Sequence, residues 1–251
     1  MPALTTERLN ADPLKFNTEG YCVFRDTLSK DEIVTARREL DALIASNAGT
    51  RPEYLTEPHA KSAYWLELCR QPNVIAAVRA VLGDNIVLIM SHLIVKPARD
   101  GKRIEWHQDR PTWPSVKGTD IATVWLAVDD ADCGNGCMKV IPSSQQGYPE
   151  MEIVKYRGND VFDFKVQVSP ELEQNAVPVE LAAGDISIHD SYIIHGSDAN
   201  LSDRRRAGFT MRYANALTTK IDVKNHWVPI YLVSGEAGDG IAEYKDLRPS
   251  S

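Results

Sequence analysis

Long apolar runs are missing from this chain: none of its 251 residues belong to a stretch of about 18 consecutive apolar residues, so no membrane-spanning helix is expected. No signal peptide is expected either. The first residues, Met1-Pro2-Ala3-Leu4-Thr5-Thr6-Glu7-Arg8, lack the basic and then apolar segments of a signal peptide, which points to a cytoplasmic protein. Positive charge is in short supply, with 28 Lys and Arg against 35 Asp and Glu for a net charge of -7. That balance argues against a nucleic-acid partner, whose phosphates favour a basic surface. Cysteine is scarce. Cys133 and Cys137 are spaced like half of a zinc knuckle, but Cys22 and Cys69 do not supply a second close pair, so ordinary reduced thiols are expected. Repeats, low-complexity tracts and linkers are absent, so residues 1–251 read as one domain. With 43% hydrophobic and 25% charged residues, the composition is that of a globular chain able to fill a core.

The residues that are present divide the chain into a helical part, about 28–83, and a β-rich part, about 85–215. Gly20 to Phe24 is a short apolar strand. Ser29 and Glu32 have the form of a capping box, and Ile33, Leu40, Leu43 and Ile44 recur at helical spacing, which predicts a helix from about Asp31 to Ala45. Residues 46–62 show no periodicity and read as a loop, with His59 on the surface. Pro72, the apolar set Val74, Ile75, Val78, Val81 and Leu82, and then Gly83 mark a second helix. Apolar, β-branched runs follow at Asn85 to Lys96, Ile121 to Val128, Met138 to Ile141, Val177 to Leu181, Ile186 to Ile194 and Ala207 to Tyr213. Turn residues such as Gly134-Asn135-Gly136 and Ala183-Gly184-Asp185 separate them. Two helices followed by many strands predict helices packed on the outside of a β-sandwich or barrel. Residues 148–175 are charged and irregular and read as an insertion at its mouth.

Chemistry concentrates in Glu105-Trp106-His107-Gln108-Asp109. Residues i and i+2 of a strand share a face, so His107 and Asp109 can reach one metal ion. A third ligand is available at the end of the run from Asp185, where His195 stands. Two histidines and one carboxylate leave open positions opposite them, the arrangement of non-haem Fe(II) oxygenases. His189 shares strand parity with His195 and reads as a core histidine. Trp106 and Trp113 flank the triad, either as pocket lining or as plain packing, and Lys96, Tyr64 and Trp65 are open in the same way.

The set formed by His107-Gln108-Asp109, the Trp125 strand, Asn135-Gly136-Cys137-Met138, Pro142-Ser143-Ser144, Gly184-Asp185 and His195-Gly196-Ser197 resembles, in order and spacing, the phytanoyl-CoA dioxygenase family of 2-oxoglutarate-dependent oxygenases. The match runs from about Gly20 to Tyr213. The resemblance implies a mainly β fold with flanking α-helices, the double-stranded β-helix or jelly roll of cupin-like proteins. It also implies Fe(II) on His107, Asp109 and His195, with 2-oxoglutarate and O2 as co-substrates. The family's arginine, eleven residues after the distal histidine, falls on Arg206, whose planar fork suits the far carboxylate of 2-oxoglutarate. Arg204 and Arg205 compete for that role, and Arg212 shares a face with Arg206. Gln108, Trp125 and Ser197 occupy the family's remaining co-substrate positions.

The implied reaction oxidises an unactivated C–H bond of a small metabolite, of the kind found in natural-product pathways, with release of succinate and CO2. Hydroxylation, desaturation and ring closure all fit; halogenation does not, because halogenating relatives lack the carboxylate that Asp109 supplies. A metal-dependent hydrolase on a cupin-like barrel could use the same triad to activate water, but has no need of a dicarboxylate clamp at Arg206. A non-catalytic binding module would be expected to have lost a ligand.

Overall fold

Ser29 and Glu32 do form a capping box. The Glu32 amide donates to Ser29 Oγ at 3.3 Å and the Ser29 amide donates to Glu32 Oε2 at 2.8 Å, so two of the helix's unpaired donors are satisfied and the helix behind them runs Lys30–Ser46. Gln71 caps the second helix, Pro72–Leu82, with its side-chain oxygen. The computed structural model describes residues 12–155, 158–238 and 243–249.

Both helices lie on one face of an eight-stranded sheet. Its order is Tyr21–Phe24, Ile186–Asp190, Ile121–Ala127, Arg206–Asn215, Ile86–Lys96, Tyr231–Ser234 and Lys245–Asp246, with Leu55–Thr56 also pairing to Ile86–Lys96. A four-stranded sheet takes Val177–Val179, Met138–Val140, His195–Ser197 and Ile104–His107 in that order. From Ile104 to Asn215 the chain passes back and forth between the two sheets through antiparallel pairings. That is the winding of a double-stranded β-helix, and it agrees with the sequence expectation.

The period of two then sorts the side chains. Val124, Leu126, Ile186, Ile188, Phe209 and Met211 face the helices and meet Ile33, Ala36, Leu40, Val74 and Val78 in the main core. Each such side chain contributes roughly 1.5–3 kcal/mol on burial. The alternate residues Thr123, Trp125, His189, Thr210 and Arg212 line a cavity instead. The main core thus lies on one side of the large sheet, and the polar cavity on the other.

Three expectations need correction. The run from Ile186 to Ile194 is not one strand. It stops at Asp190, whose Oδ1 accepts the Tyr192 N–H at 2.7 Å, a local turn that competes with the ladder. His195 opens a new strand in the other sheet, so the parity shared with His189 has no structural meaning. His59 is not a surface residue. It is buried with Nδ1 2.6 Å from Ser91 Oγ, and burial holds it down at about 4 and therefore neutral. Finally, residues 46–62 are not unstructured, since they hold the turn Pro52–Tyr54, the strand Leu55–Thr56 and the short helix Pro58–Lys61. None of these is long enough to show a period.

The turn at Asp190 makes stability depend on pH. Burial pushes its carboxyl from 3.8 up to about 7, Asp120 adds to the effect, and the Tyr192 N–H only partly offsets it. Between about pH 4 and 7 the folded chain therefore holds a proton that the unfolded chain has lost, and stability falls as pH rises through that window. Asp190→Asn keeps an acceptor for Tyr192 and removes the titration. Between pH 5 and 8 the wild type should lose about 2 kcal/mol more than the variant in urea unfolding. Parallel pH curves would show that Asp190 is not the titrating group.

Candidate active site

His107 is the last residue of Ile104–His107 and His195 the first of His195–Ser197. The two strands are neighbours, and these two residues are paired in register, with ring centroids 4.1 Å apart. Asp109 follows at the start of the turn Arg110–Thr112. One ligand atom from each of His107, Asp109 and His195 lies within 4.8 Å of the others.

The surroundings fix the chemical state of each group. His107 Nδ1 is 2.9 Å from the Glu105 carbonyl and His195 Nδ1 is 3.1 Å from the Ile193 carbonyl. Both rings are therefore protonated at Nδ1 and present a bare Nε2, as metal-binding histidines do. Burial, together with the neighbouring histidine in each case, pulls His107 down to about 3 and His195 to about 4. Burial alone would push Asp109 up, but Arg212 and His189 outweigh it and hold the carboxyl well below the usual range. Thr123 Oγ1 donates to Asp109 Oδ2 at 2.7 Å. Two neutral imidazoles and one ionised carboxylate on a single face fit Fe(II).

The cavity beside the triad is lined by Trp125, Met138, Ser197, Arg206, Thr210 and Arg212, among others. Arg206 is 2% exposed and has a bare Nε; its Nη1 donates to the Ile94 carbonyl at 3.3 Å, and it forms no ion pair with a described residue. Burial draws it down to about 10, which leaves it charged at neutral pH. An unpaired buried cation calls for an anionic ligand. Arg204 pairs with Asp132 at 2.7 Å, while Arg205 pairs with Asp129 at 2.7 Å and Asp41 at 2.5 Å. Both of these competitors are therefore satisfied outside the cavity.

Trp125 and Ser197 take their places around this guanidinium. The Arg206 Cζ is 5.3 Å from the Trp125 ring centroid, and Ser197 Oγ accepts from Lys96 Nζ at 2.7 Å. Lys96, fully buried, also donates to the Asp198 carbonyl. Burial, then Arg206, lowers it to about 6. Gln108 goes elsewhere. Its Nε2 donates to the Tyr192 and Pro149 carbonyls at 2.6 and 2.9 Å, and its Oε1 accepts the Met151 N–H at 2.9 Å. It is not among the residues lining the cavity, and these hydrogen bonds tie down the 149–151 segment.

Gly208 faces the indole of Trp125 directly. A Cβ there would sit 2.1 Å from Trp125 Cζ2, so Gly208→Ala must displace either the ring or the strand. The expected result is a loss of roughly 1–3 kcal/mol in stability and weaker binding of 2-oxoglutarate, read by thermal unfolding and a ligand titration. An unchanged affinity would show that Trp125 does not shape the pocket.

A second cavity of about 180 Å³ reaches His107 and Asp109 from outside, between Met90, Trp113, Phe162, Phe164, Trp227 and Arg212. Trp113 thus lines a pocket, whereas Trp106 donates its indole N–H to Glu173 at 3.0 Å. Phe162 and Phe164 come from the 148–175 segment, with ring centroids 5.1 and 6.3 Å from that of His107. Sequence reasoning missed both, although two phenylalanines in an otherwise charged stretch were a usable signal. Cys133 and Cys137 approach Glu180 within 4.8 Å; burial first pushes the Cys137 thiol up to about 12, which keeps it protonated.

Comparison with known proteins agrees with this geometry. The sequence profile of the phytanoyl-CoA dioxygenase (PhyH) family matches residues 16–208. The peroxisomal phytanoyl-CoA dioxygenase of Bos taurus is 25% identical over 248 residues, covering 86% of this chain and 72% of that protein. Ectoine dioxygenase of Sphingopyxis alaskensis is 25% identical over 255 residues, covering 88% and 82%. Among solved structures, the non-heme monooxygenase ThoJ in its apo form superposes with a TM-score of 0.76 at 25% identity, over 96% of this chain and 89% of that one. With most of its length matched and a His-Asp-His triad on the inner face of a jelly roll, the chain belongs to the phytanoyl-CoA dioxygenase family of Fe(II)- and 2-oxoglutarate-dependent oxygenases.

Proposed function

We propose that His107, Asp109 and His195 hold the iron of this oxygenase, that Arg206, Trp125 and Ser197 hold 2-oxoglutarate, and that a small metabolite enters through the aromatic-walled outer cavity. The observation that carries the reading is Arg206, a buried guanidinium beside the triad without a carboxylate partner among the described residues. A hydrolase using the same triad would have no use for it.

When bound, Fe(II) and 2-oxoglutarate activate O2 for attack on a C–H bond, leaving succinate and CO2. The chain's own residues supply position and dryness. Thr123 steers one oxygen of Asp109, and the two backbone carbonyls behind the histidines hold their rings in orientation. Phe162 and Phe164 stack at 5.3 Å and wall off the His107 side, which limits access of water.

The outer cavity beside His107 and Asp109, about 180 Å³, suits a small substrate. Similarity to an ectoine dioxygenase supports a metabolite of that scale, and we read the role as biosynthetic tailoring. Four free thiols suit a reducing compartment, in our reading the cytoplasm. No helix of the described residues is long and apolar enough to cross a membrane.

The test is a screen for substrate-stimulated succinate release, offering small amino acids and related metabolites in parallel with acyl-CoA thioesters. Stimulation by a small metabolite is expected. Stimulation by thioesters alone would overturn the assignment of substrate class.

A further inference from the structure

Arg212 stands six residues beyond Arg206 on the strand Arg206–Asn215, an even spacing that puts both on the inner face. It is 7% exposed. Its Nη1 donates to Thr210 Oγ1 at 2.6 Å, its Nη2 lies 3.7 Å from Asp109 Oδ1, and its Nε has no partner. The Asp109 contact is too long for a hydrogen bond. Asp109 also shares its charge with Thr123 and, at 3.7 Å, with His189. The guanidinium is therefore a buried cation whose donors outnumber its acceptors, a costly arrangement unless a ligand completes it.

Its location indicates which ligand. Arg206, Thr210 and Arg212 line the same cavity, and Arg212 also borders the outer one. One pocket is thus lined by two guanidiniums, suited to a molecule with two anionic groups. A substrate anion in the outer cavity would meet Arg212 only. We infer that Arg212 is a positioning residue for 2-oxoglutarate: it pairs with the carboxylate on the metal side while Arg206 pairs with the far one. The inference rests on the oxygenase reading of the pocket. It gives the strand Arg206–Asn215 both ends of the dicarboxylate and explains why a single long contact to Asp109 is all that Arg212 makes with an acid in the described residues.

The experiment uses protein loaded with Zn(II), which is redox-silent, and follows ligand binding by tryptophan fluorescence. Two ligands are compared: 2-oxoglutarate, and 2-oxopentanoate, which lacks the far carboxylate. Arg212→Met should weaken both by at least about tenfold, the worth of one hydrogen-bonded charge pair, whereas Arg206→Met should weaken 2-oxoglutarate alone. Arg212→Lys keeps the charge without the fork and should recover part of the affinity for both ligands. Zn(II) affinity is measured on the same samples, and because Arg212 lies beside Asp109 the ligand titrations are run at saturating Zn(II), where the roughly tenfold effect on both ligands should persist. If the ligand loss tracks a loss of Zn(II), Arg212 serves Asp109 alone and the inference fails. It fails as well if Arg212→Met binds 2-oxopentanoate like the wild type. Absence of 2-oxoglutarate binding in the wild type itself would overturn the pocket reading and the inference together.

Discussion

Alanine at His195 should leave a folded protein that cannot keep iron. The apolar core lies between the helices and the opposite face of the large sheet, so the loss of one imidazole between the sheets does not remove core packing. Iron should be lost because three protein ligands are the minimum the site offers. Outer-shell changes alone typically cost about 10–100-fold in metal affinity, and a direct ligand should cost more. We expect iron retention after anaerobic reconstitution and desalting to fall below about one hundredth of the wild-type affinity, with succinate formation falling in step. His189→Ala is the matched control. Its Nε2 is 3.7 Å from Asp109 Oδ2, beside the triad rather than in it, so iron should bind more weakly but by no more than an outer-shell change, far less than in His195→Ala. Full iron retention in His195→Ala, or a loss in His189→Ala as large as in His195→Ala, would move the metal site.

Arg206→Ala should separate co-substrate binding from metal binding. Truncating one partner of a buried charge pair costs about 2–5 kcal/mol, which corresponds to a rise of roughly 30- to 4000-fold in the dissociation constant of 2-oxoglutarate. Iron content should not change, since Arg206 touches no member of the triad. Without ligand, the variant should lose little stability, because what is removed is a buried cation with no carboxylate partner among the described residues. With saturating 2-oxoglutarate, the wild type should gain thermal stability by linkage and the variant should not. Equal ligand-induced stabilisation in the two proteins would show that Arg206 is not the clamp.

Much of this was legible in the sequence, for physical reasons that differ by residue. His107 and Asp109 were found by the two-residue period of a strand, although only His107 lies within one; the tight turn after it keeps Asp109 on the same side. His195 was found, but as the end of a strand rather than the beginning of one. A turn made by a single aspartate, Asp190, leaves no trace in hydrophobic periodicity. Arg206 was placed by spacing from the distal histidine, and the structure adds the reason its neighbours do not compete, namely three carboxylates that only tertiary contact brings to Arg204 and Arg205. For Gln108, sequence position cannot show that backbone groups from residues 149, 151 and 192 engage its amide. Lys96 was left open, although a lysine closing an apolar, β-branched strand is itself a signal. Its buried Nζ must find oxygen acceptors, and it finds them at Ser197 and Asp198.

The most direct test of the central claim is anaerobic titration of the reconstituted Fe(II) protein with 2-oxoglutarate, following the weak visible charge-transfer band of the chelate. Wild type should develop the band and saturate at one 2-oxoglutarate per chain, and Arg206→Ala should need far more ligand to reach the same intensity. Absence of the band in wild type, together with tight retention of zinc in place of iron, would contradict the oxygenase site and leave a metal hydrolase as the better description.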